Sequence, residues 1–374
     1  MFLRNAWYVA AWDREIGAGL HPMRLLGEKL VLFRTADGLV AALEDACPHR
    51  KLPLSMGRLI SPPRAGRCPS LPPAGAQENL GRPGVFLSGD HVECGYHGMT
   101  FDATGACVRA PGTQRIPPAA RVRSYPVVSR YGLLWVWMGE PSRADPSRIL
   151  QVLHWGDPAW GLNQGDGMDI ACHYLYMTDN LLDPSHVAWV HPGSFANVAC
   201  EDTPLQTTVA DEGVTVARWM RDVEPAPFYG QFLKFSGRCD RKQHYEVRFP
   251  GHAFIRAVFV PAGTGDDAAP LHPDAFIMDS YNFITPVDAD TTRYFWFQMR
   301  NFAPGDEQVS QIFARSVRGA FEEDRAVLQA VHRGMAEKTT PHLDLGIDAG
   351  PLRYRRRLAE LIEAERAAVG AVAR

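Results

Sequence analysis

Apolar residues fall into two regimes along this chain. Up to about residue 145 they come in short β-rich runs: Ala6-Trp-Tyr-Val-Ala-Ala11, Arg24–Leu26, Lys29–Arg34 and, after the turn Thr35-Ala-Asp-Gly38, Leu39–Leu43. Val122–Val128 and Gly132–Gly139 are the strongest runs, and Gly139-Glu-Pro141 closes them off. Short strands joined by Gly and Asp turns predict a small all-β unit. Asp145-Pro-Ser reads as a linker, which puts a domain over 1–145 and a second over 146–374. In the second domain, strands are expected around 150–162, 207–209, 214–219, 245–249, 254–260, 279–285 and 293–299. Helical spacing takes over after that series. Val309, Ile312, Phe313, Val317, Phe321, Asp324, Leu328 and Val331 predict a long amphipathic helix over 306–335. Leu352, Leu358, Leu361 and Ile362 predict a packing helix over 351–368. The fold class is α+β, with an all-β N-terminal domain and an antiparallel C-terminal sheet flanked by helices.

One segment carries unusual chemistry on that pattern, Asn180-Leu-Leu-Asp-Pro-Ser-His-Val-Ala-Trp-Val-His191. Leu175, Leu181, Leu182 and Val187 make the apolar side of a helix. Asn180, Asp183 and His186 follow each other at three-residue spacing on its other side. On a regular helix His186 and His191 would point roughly 140° apart. Two imidazoles can share one ion only if the helix ends between them, and Pro192 supplies the break by pushing His191 out of helical conformation. A lone histidine in an apolar segment is ordinarily structural. Two of them beside an acid and an amide make a metal site the sharper reading. Asp324 falls on the apolar stripe of the long helix, where an acid is costly unless paired or metal-bound. Asp183 before Pro184 also suits a helix N-cap.

A second cluster lies upstream. Cys47-Pro-His49-Arg50 and Cys94-Gly-Tyr-His97-Gly98 each hold one thiol and one imidazole beside turn-forming residues. Together they suit either a zinc site or a [2Fe–2S] cluster with cysteines on one iron and histidines on the other. Zinc fingers usually take their histidines as a pair from one helix, whereas here each loop holds one of each type.

Size and composition narrow the partners. The 374 residues are 46% hydrophobic and 22% charged, as in a globular protein. A net charge of -3 offers no broad basic field for nucleic acid or anionic membrane. No apolar run reaches the length of a membrane span. The N-terminal residues lack a signal-peptide plan, so the expected compartment is the cytoplasm. Seven scattered cysteines are then thiols or metal ligands.

Cys47-Pro-His49-Arg50, Pro53-Leu-Ser-Met-Gly57-Arg and Gly89-Asp-His-Val-Glu-Cys94-Gly-Tyr-His97-Gly98-Met-Thr-Phe101-Asp resemble the Rieske domain of Rieske non-haem iron oxygenases. The similarity runs from Asn5 to Asp348-Ala-Gly. It is strongest to the oxygenase components of the vanillate O-demethylase, dicamba monooxygenase and toluenesulfonate methyl-monooxygenase group. The resemblance implies a helix-grip-like C-terminal domain. It implies a Rieske cluster on Cys47, His49, Cys94 and His97, and a mononuclear Fe(II) on His186, His191 and Asp324, with Glu323 in reserve. Asp183 would bridge the two centres between neighbouring chains of a homotrimer, and Asn180 would stand beside the iron. Electrons would come from NAD(P)H through a ferredoxin-type flavin reductase. Dioxygen would be used to hydroxylate a methyl or O-methyl group of a small, anionic aromatic substrate. A ring cis-dihydroxylating dioxygenase is the alternative, and a non-catalytic Rieske or zinc-binding protein the distant one.

The chain departs from the family's spacing between His49 and Cys94. The excess, about 61–88, is rich in Pro, Gly and Arg, contains Cys68, and predicts a surface loop. For the substrate's acid group, Arg248, Arg256, His244 and His252 are the cations on strand-like runs. Phe228, Tyr229, Phe254, Phe283 and Trp296 are the candidate aromatic lining.

Overall fold

The computed structural model describes residues 1–60, 90–163 and 165–372, with side chains described up to 368. The 61–88 insertion and Cys68 lie outside the described residues. The chain forms two compact units, one of Val9–Pro146 and one of Met1–Tyr8 with Ser147–Arg374. The first eight residues, expected with the β domain, pack on the second unit. Glu365 accepts the main-chain N–H groups of Arg4 and Asn5 at 2.7 and 2.6 Å, and the Trp7 carbonyl meets His252 Nε2 at 2.9 Å.

The Val9–Pro146 unit is all β. Its strands are β1 (Trp7–Trp12), β2 (His21–Leu25), β3 (Glu28–Arg34), β4 (Val40–Glu44), β5 (Arg58–Ile60), β6 (His91–Glu93), β7 (Thr100–Asp102), β8 (Cys107–Arg109), β9 (Ser124–Tyr125), β10 (Val127–Arg130) and β11 (Leu133–Trp137). They form three sheets, ordered β1-β11-β10, β2-β3-β4-β9 and β5-β6-β7-β8. The apolar run Leu133–Trp137 is buried at every position, as a strand covered on both faces must be. Val31, Phe33, Leu43, Leu54, Val92, Phe101 and Val122 make one core cluster, and Cys47 and Cys94 belong to it.

The second unit is built on an antiparallel sheet. Its strands are β12 (Gly161–Asn163), β13 (Gly167–Ile170), β14 (Gln206–Val209), β15 (Gly213–Val223), β16 (Cys239–Arg248), β17 (His252–Pro261), β18 (Phe276–Pro286) and β19 (Thr292–Arg300). The order is β12-β19-β18-β17-β16-β15-β14, with β13 also on β19. The stretch expected as strands over 150–162 is turns apart from the start of β12. The helices are α1 (Tyr174–Asn180), α2 (Val187–Val190), α3 (Ala199–Asp202), α4 (Pro227–Gly230), α5 (Glu307–Glu337) and α6 (Ala349–Val372).

Residues paired across antiparallel strands share a sheet face. Tyr245, Ile255, Ser280 and Gln298 form one row, and Gln243, Ala257, Met278 and Arg300 the next. α5 covers this face with Phe313, Val317, Ala320, Asp324 and Leu328, all buried at helical spacing, and the Asp306 carboxylate caps its start on the Val309 N–H at 3.1 Å. α6 packs through Tyr354, Leu358 and Ile362, while Leu352, expected in its apolar face, is exposed. The result is the α+β architecture that the pattern predicts. Among the described residues no helix is long and apolar enough to cross a membrane.

In the β unit, Gly57 lies against the strand that leads to Cys94. A Cβ added there would stand 2.0 Å from the Glu93 carbonyl oxygen, so main chain would have to move. Gly57→Ala is expected to destabilise this unit by about 1–3 kcal/mol, as overpacking does. A thermal melt followed by circular dichroism checks it, and an unchanged midpoint would mean that the contact relaxes freely.

Candidate metal centres

The upstream loops are near copies of each other. The Cys47 N–H donates to Leu52 O and the Lys51 N–H donates back to Cys47 O, at 2.9 and 2.8 Å. In the other loop the Cys94 N–H donates to Met99 O and the Gly98 N–H to Cys94 O, at 2.8 and 3.1 Å. Each turn closes through a left-handed residue four after its cysteine, Lys51 at φ 58° and Gly98 at φ 69°. The two thiols sit in the core, and the His49 and His97 rings stand exposed with centroids 4.7 Å apart. Burial, with the neighbouring Cys94 thiol adding to it, pushes the Cys47 thiol above its ordinary pKa. Cationic metal would relieve that cost. Buried sulfur and outward imidazole fit a two-iron cluster with cysteines on the inner iron and histidines on the outer.

The downstream centre begins with a broken helix. The spacing predicts one helix through His186, but α1 stops at Asn180. Three-residue bonds from the Leu182 and Asp183 N–H groups wind it down. Pro184 has no N–H and bars Asp183 from helical conformation, so the break falls before His186 as well as after His191. The Asp183 carboxylate accepts the Ser185 N–H at 2.8 Å, two residues on, rather than capping a helix. His186 is the N-cap of the one-turn helix α2, and His191 leaves it at φ -122°, ψ 42° ahead of Pro192. Their rings come within 5.5 Å at 77°. Arg218 of β15 pins the turn, donating to Pro184 O at 3.1 Å, Thr203 O at 3.0 Å and Gln243 Oε1 at 2.8 Å.

Both imidazoles are oriented through Nδ1. His186 Nδ1 donates to the main-chain carbonyl of Asp183, and His191 Nδ1 to Glu323 Oε2 at 2.6 Å. Each ring therefore turns Nε2 to Asp324, whose Oδ1 lies 3.6 Å from His186 Nε2 and 3.3 Å from His191 Nε2. The Asn180 side-chain amide donates to the same oxygen at 3.0 Å. The three ligand atoms lie within 4.8 Å of one another. Burial alone would raise the Asp324 pKa, but hydrogen bonding from His191 and the charges of His186 and His191 hold it below the usual carboxylate range. Burial would likewise lower His191, and the Asp324 and Glu323 carboxylates overcome that to raise it. The pocket thus favours positive charge between these groups. Two imidazole nitrogens and one carboxylate, with no thiol, suit non-haem Fe(II). Glu323, the reserve ligand, instead steers His191 from the outside.

The centre opens on a cavity of about 580 Å³, including its mouth. Leu181, Val187, Ile255, Met278, Val317 and Ala320 are its aliphatic walls, joined by Phe195, Tyr229, Tyr245 and Phe321. Most of the expected pocket residues are elsewhere. Of the five aromatics only Tyr229 lines the cavity. Phe254 and Phe283 lie on the opposite sheet face, Phe228 packs on Phe195 and Phe313, and Trp296 packs against Phe321. The four cations are also spent elsewhere. Arg256 pairs with buried Asp279 at 2.6 Å, and Arg248 and His244 pair with Glu246. Buried His252, on the Trp7 carbonyl, is driven by desolvation down to about 4. Among the described residues, the Arg or Lys lining the cavity is Arg241, which sequence reading missed. Its signal was there. Counting back by twos from Tyr245 puts Gln243 and Arg241 on the inward face.

Residues 6–70 and 74–126 match the Rieske [2Fe–2S] domain, and 170–364 match the vanillate O-demethylase oxygenase C-terminal domain. The chain belongs to the Rieske non-haem iron oxygenases. It is 35% identical to the toluene-4-sulfonate monooxygenase system iron–sulfur subunit of Comamonas testosteroni over 98% of both chains. It is 33% identical to the vanillate O-demethylase oxygenase subunit of a Pseudomonas species, over 99% of this chain and 98% of that one. Dicamba monooxygenase bound to 3,6-dichlorosalicylic acid superposes with a TM-score of 0.82 at 28% identity, covering 98% of this chain and 99% of that one. The protein is thus an oxidoreductase, a Rieske monooxygenase component using a [2Fe–2S] cluster and non-haem iron.

Glu323→Ala is expected to weaken metal binding at the downstream centre about 10- to 100-fold, as loss of a histidine's outer partner does. Metal titration of the stripped protein measures it, and wild-type affinity would show that Glu323 does not orient His191.

Proposed function

We propose that this protein is the terminal oxygenase of a Rieske monooxygenase system that hydroxylates a methyl or O-methyl group on a small aromatic acid. The single observation behind the choice is the downstream centre. Two Nε2 atoms and a buried carboxylate converge on the wall of a largely apolar cavity with aromatic walls. His186, His191 and Asp324 would hold iron, and Cys47, Cys94, His49 and His97 the Rieske cluster. Iron bound on that face supplies dioxygen activation, with electrons from a separate flavin reductase of ferredoxin type fed by NAD(P)H.

The chain's own residues then set the conditions. Asp324 offsets metal charge, and Asn180 fixes its carboxylate through the 3.0 Å bond. The Asp183 carbonyl and Glu323 hold the tautomers that leave Nε2 free. Leu181, Val187, Ile255 and Val317 exclude water and leave room for a ring beside the centre. Hydroxylation of an O-methyl carbon gives a hemiacetal that loses formaldehyde, so demethylation and methyl hydroxylation are one chemistry. The relatives named for toluene-4-sulfonate and vanillate support an aromatic acid as substrate.

The homotrimer belongs to this proposal, by resemblance to the family. Asp183 Oδ1 is engaged by Ser185, and Oδ2 has no hydrogen-bond partner among the described residues. Its place in this proposal is to accept an N–H from a cluster histidine of the neighbouring chain. The 61–88 insertion has no part in the proposal.

Purified protein with a surrogate reductase and 4-methoxybenzoate is expected to consume oxygen and release formaldehyde. A ring cis-diol without formaldehyde would instead establish the dihydroxylating alternative. Asp183→Asn is expected to keep both centres, seen in iron content and cluster absorption, and to lose about 100-fold or more in turnover, on the order of an essential positioning group. Wild-type coupled turnover in that variant would remove the bridge.

A further inference from the structure

We propose that Arg241 is the anion anchor of the cavity. Its guanidinium receives the acid group of the aromatic substrate and thereby turns the ring's methyl-bearing end toward His186, His191 and Asp324. The inference rests on the aromatic-acid reading above and names the residue that enforces it.

Arg241 is 2% exposed, and among the described residues its hydrogen bonds go to a main-chain carbonyl and a thiol, not to a carboxylate. A buried cation without a counter-charge is expensive, so its partner should be sought. One Nη donates to Phe195 O at 2.8 Å and the other meets Cys200 Sγ at 3.4 Å, the guanidinium carbon lies over the Tyr229 and Phe259 rings at 5.4 and 5.2 Å, and Nε has no hydrogen-bond partner. The equally buried Arg218 and Arg300 differ. Arg218 spends its guanidinium on three oxygen acceptors and Arg300 on four, against one for Arg241; the Arg300 Nε is unpartnered like that of Arg241, but neither Arg218 nor Arg300 lines the cavity. The neighbouring Asp240 is on the other face of β16, held by Arg221 and by the N–H groups of Asp222, Gly263 and Gly265. The cavity therefore contains one positive charge short of acceptors, in a wall that is otherwise largely apolar.

Position supplies the second half of the argument. Arg241 pairs with Phe259, which pairs with Phe276, at one end of the sheet face. The row of Tyr245, Ile255 and Ser280 is four residues along the strands, about 13 Å. α5 runs in the same sense. Phe313 packs at the Phe276 end through Phe302, Phe321 packs on Tyr294 and Trp296, and Asp324 follows. Phe313 to Asp324 spans about 16 Å of helix. Arg241 and the metal-binding face thus reach into the cavity from opposite ends. An aromatic acid is polar at one end and carries the reacting methyl at the other, with a flat apolar body between. A forked guanidinium suits a carboxylate or a sulfonate alike.

The test is calorimetric titration of the iron-loaded protein, without reductant, using two matched pairs. These are 4-methoxybenzoate with 4-methoxybenzamide, and 4-methylbenzenesulfonate with 4-methylbenzenesulfonamide. The wild type is expected to bind each acid at least about 10-fold more tightly than its neutral amide. Arg241→Gln is expected to lose about 10- to 100-fold for the acids, to change the amides by less than about 3-fold, and so to erase the preference. Arg241→Lys, which keeps the charge without the fork, should retain part of it, and carries the test if the glutamine variant does not fold. The anchor is overturned if the wild type does not prefer the acids. It is equally overturned if the variants keep wild-type preference, or if acid and amide weaken together, as loss of the Phe195 clamp alone would produce. Formaldehyde from the amide but not the acid would sink the anchor and leave the oxygenase reading intact. Arg241-dependent acid binding without formaldehyde from any methoxy compound would do the reverse.

Discussion

Two imidazoles turned toward one buried carboxylate are the constraint on which the second unit depends. Asp324 is 6% exposed on the apolar stripe of α5, where an unpaired acid would cost several kcal/mol. Its neighbours make the position tolerable. His186 and His191 present Nε2, and Asn180 donates to the same carboxylate oxygen. That geometry needs the chain to break twice within a dozen residues, once at Asp183-Pro184 and once at His191-Pro192. Arg218, reaching from β15 to the Pro184 carbonyl, fastens the first break to the sheet. Chemistry and fold share the same few contacts, so the site is held by secondary structure rather than by a free loop.

The two centres solve different problems with different local designs. The cluster loops are short turns whose sulfur faces the core and whose imidazoles face outward. Electron entry and exit need an exposed end, and a two-iron cluster with neutral nitrogen ligands has one. The downstream centre has its three candidate metal-binding side chains inside, beside a cavity whose walls are largely apolar and would keep water out. Replacing two thiolates by imidazoles raises a cluster's potential, which suits delivery toward an oxygen-using site.

Much of this was legible in the amino-acid sequence, and the misses come from contacts that only the folded chain sets. The β and helical regimes, the paired Cys–His loops and the Asp324 stripe could be read because their periodicities are local. His186 and His191 could be placed together because Pro192 is a local signal. The earlier break was only half read: Asp183-Pro184 suits a helix start, but Leu181 and Leu182 extend across it an apolar pattern that the fold uses as a turn. The strand cations and Phe254 and Phe283 were misplaced because strand parity, not residue type, decides sheet face, while Trp296 has the inward parity but is covered by Phe321. Arg248 and His244 share β16 with Arg241, yet they sit at the opposite parity and pair with Glu246. Arg256 looked available until the register put Asp279 across from it. The N-terminal residues read as a strand of the first domain, and nothing local announces that Glu365 accepts their N–H groups.

The most direct test of two separate metal stations on one chain is a count of iron and acid-labile sulfide in anaerobically prepared wild type and His186→Ala protein. The expected wild-type result is about three irons and two sulfides per chain, falling to about two irons with sulfide unchanged in the variant. Zinc without sulfide in the wild type, or iron and sulfide lost together in the variant, would contradict the account.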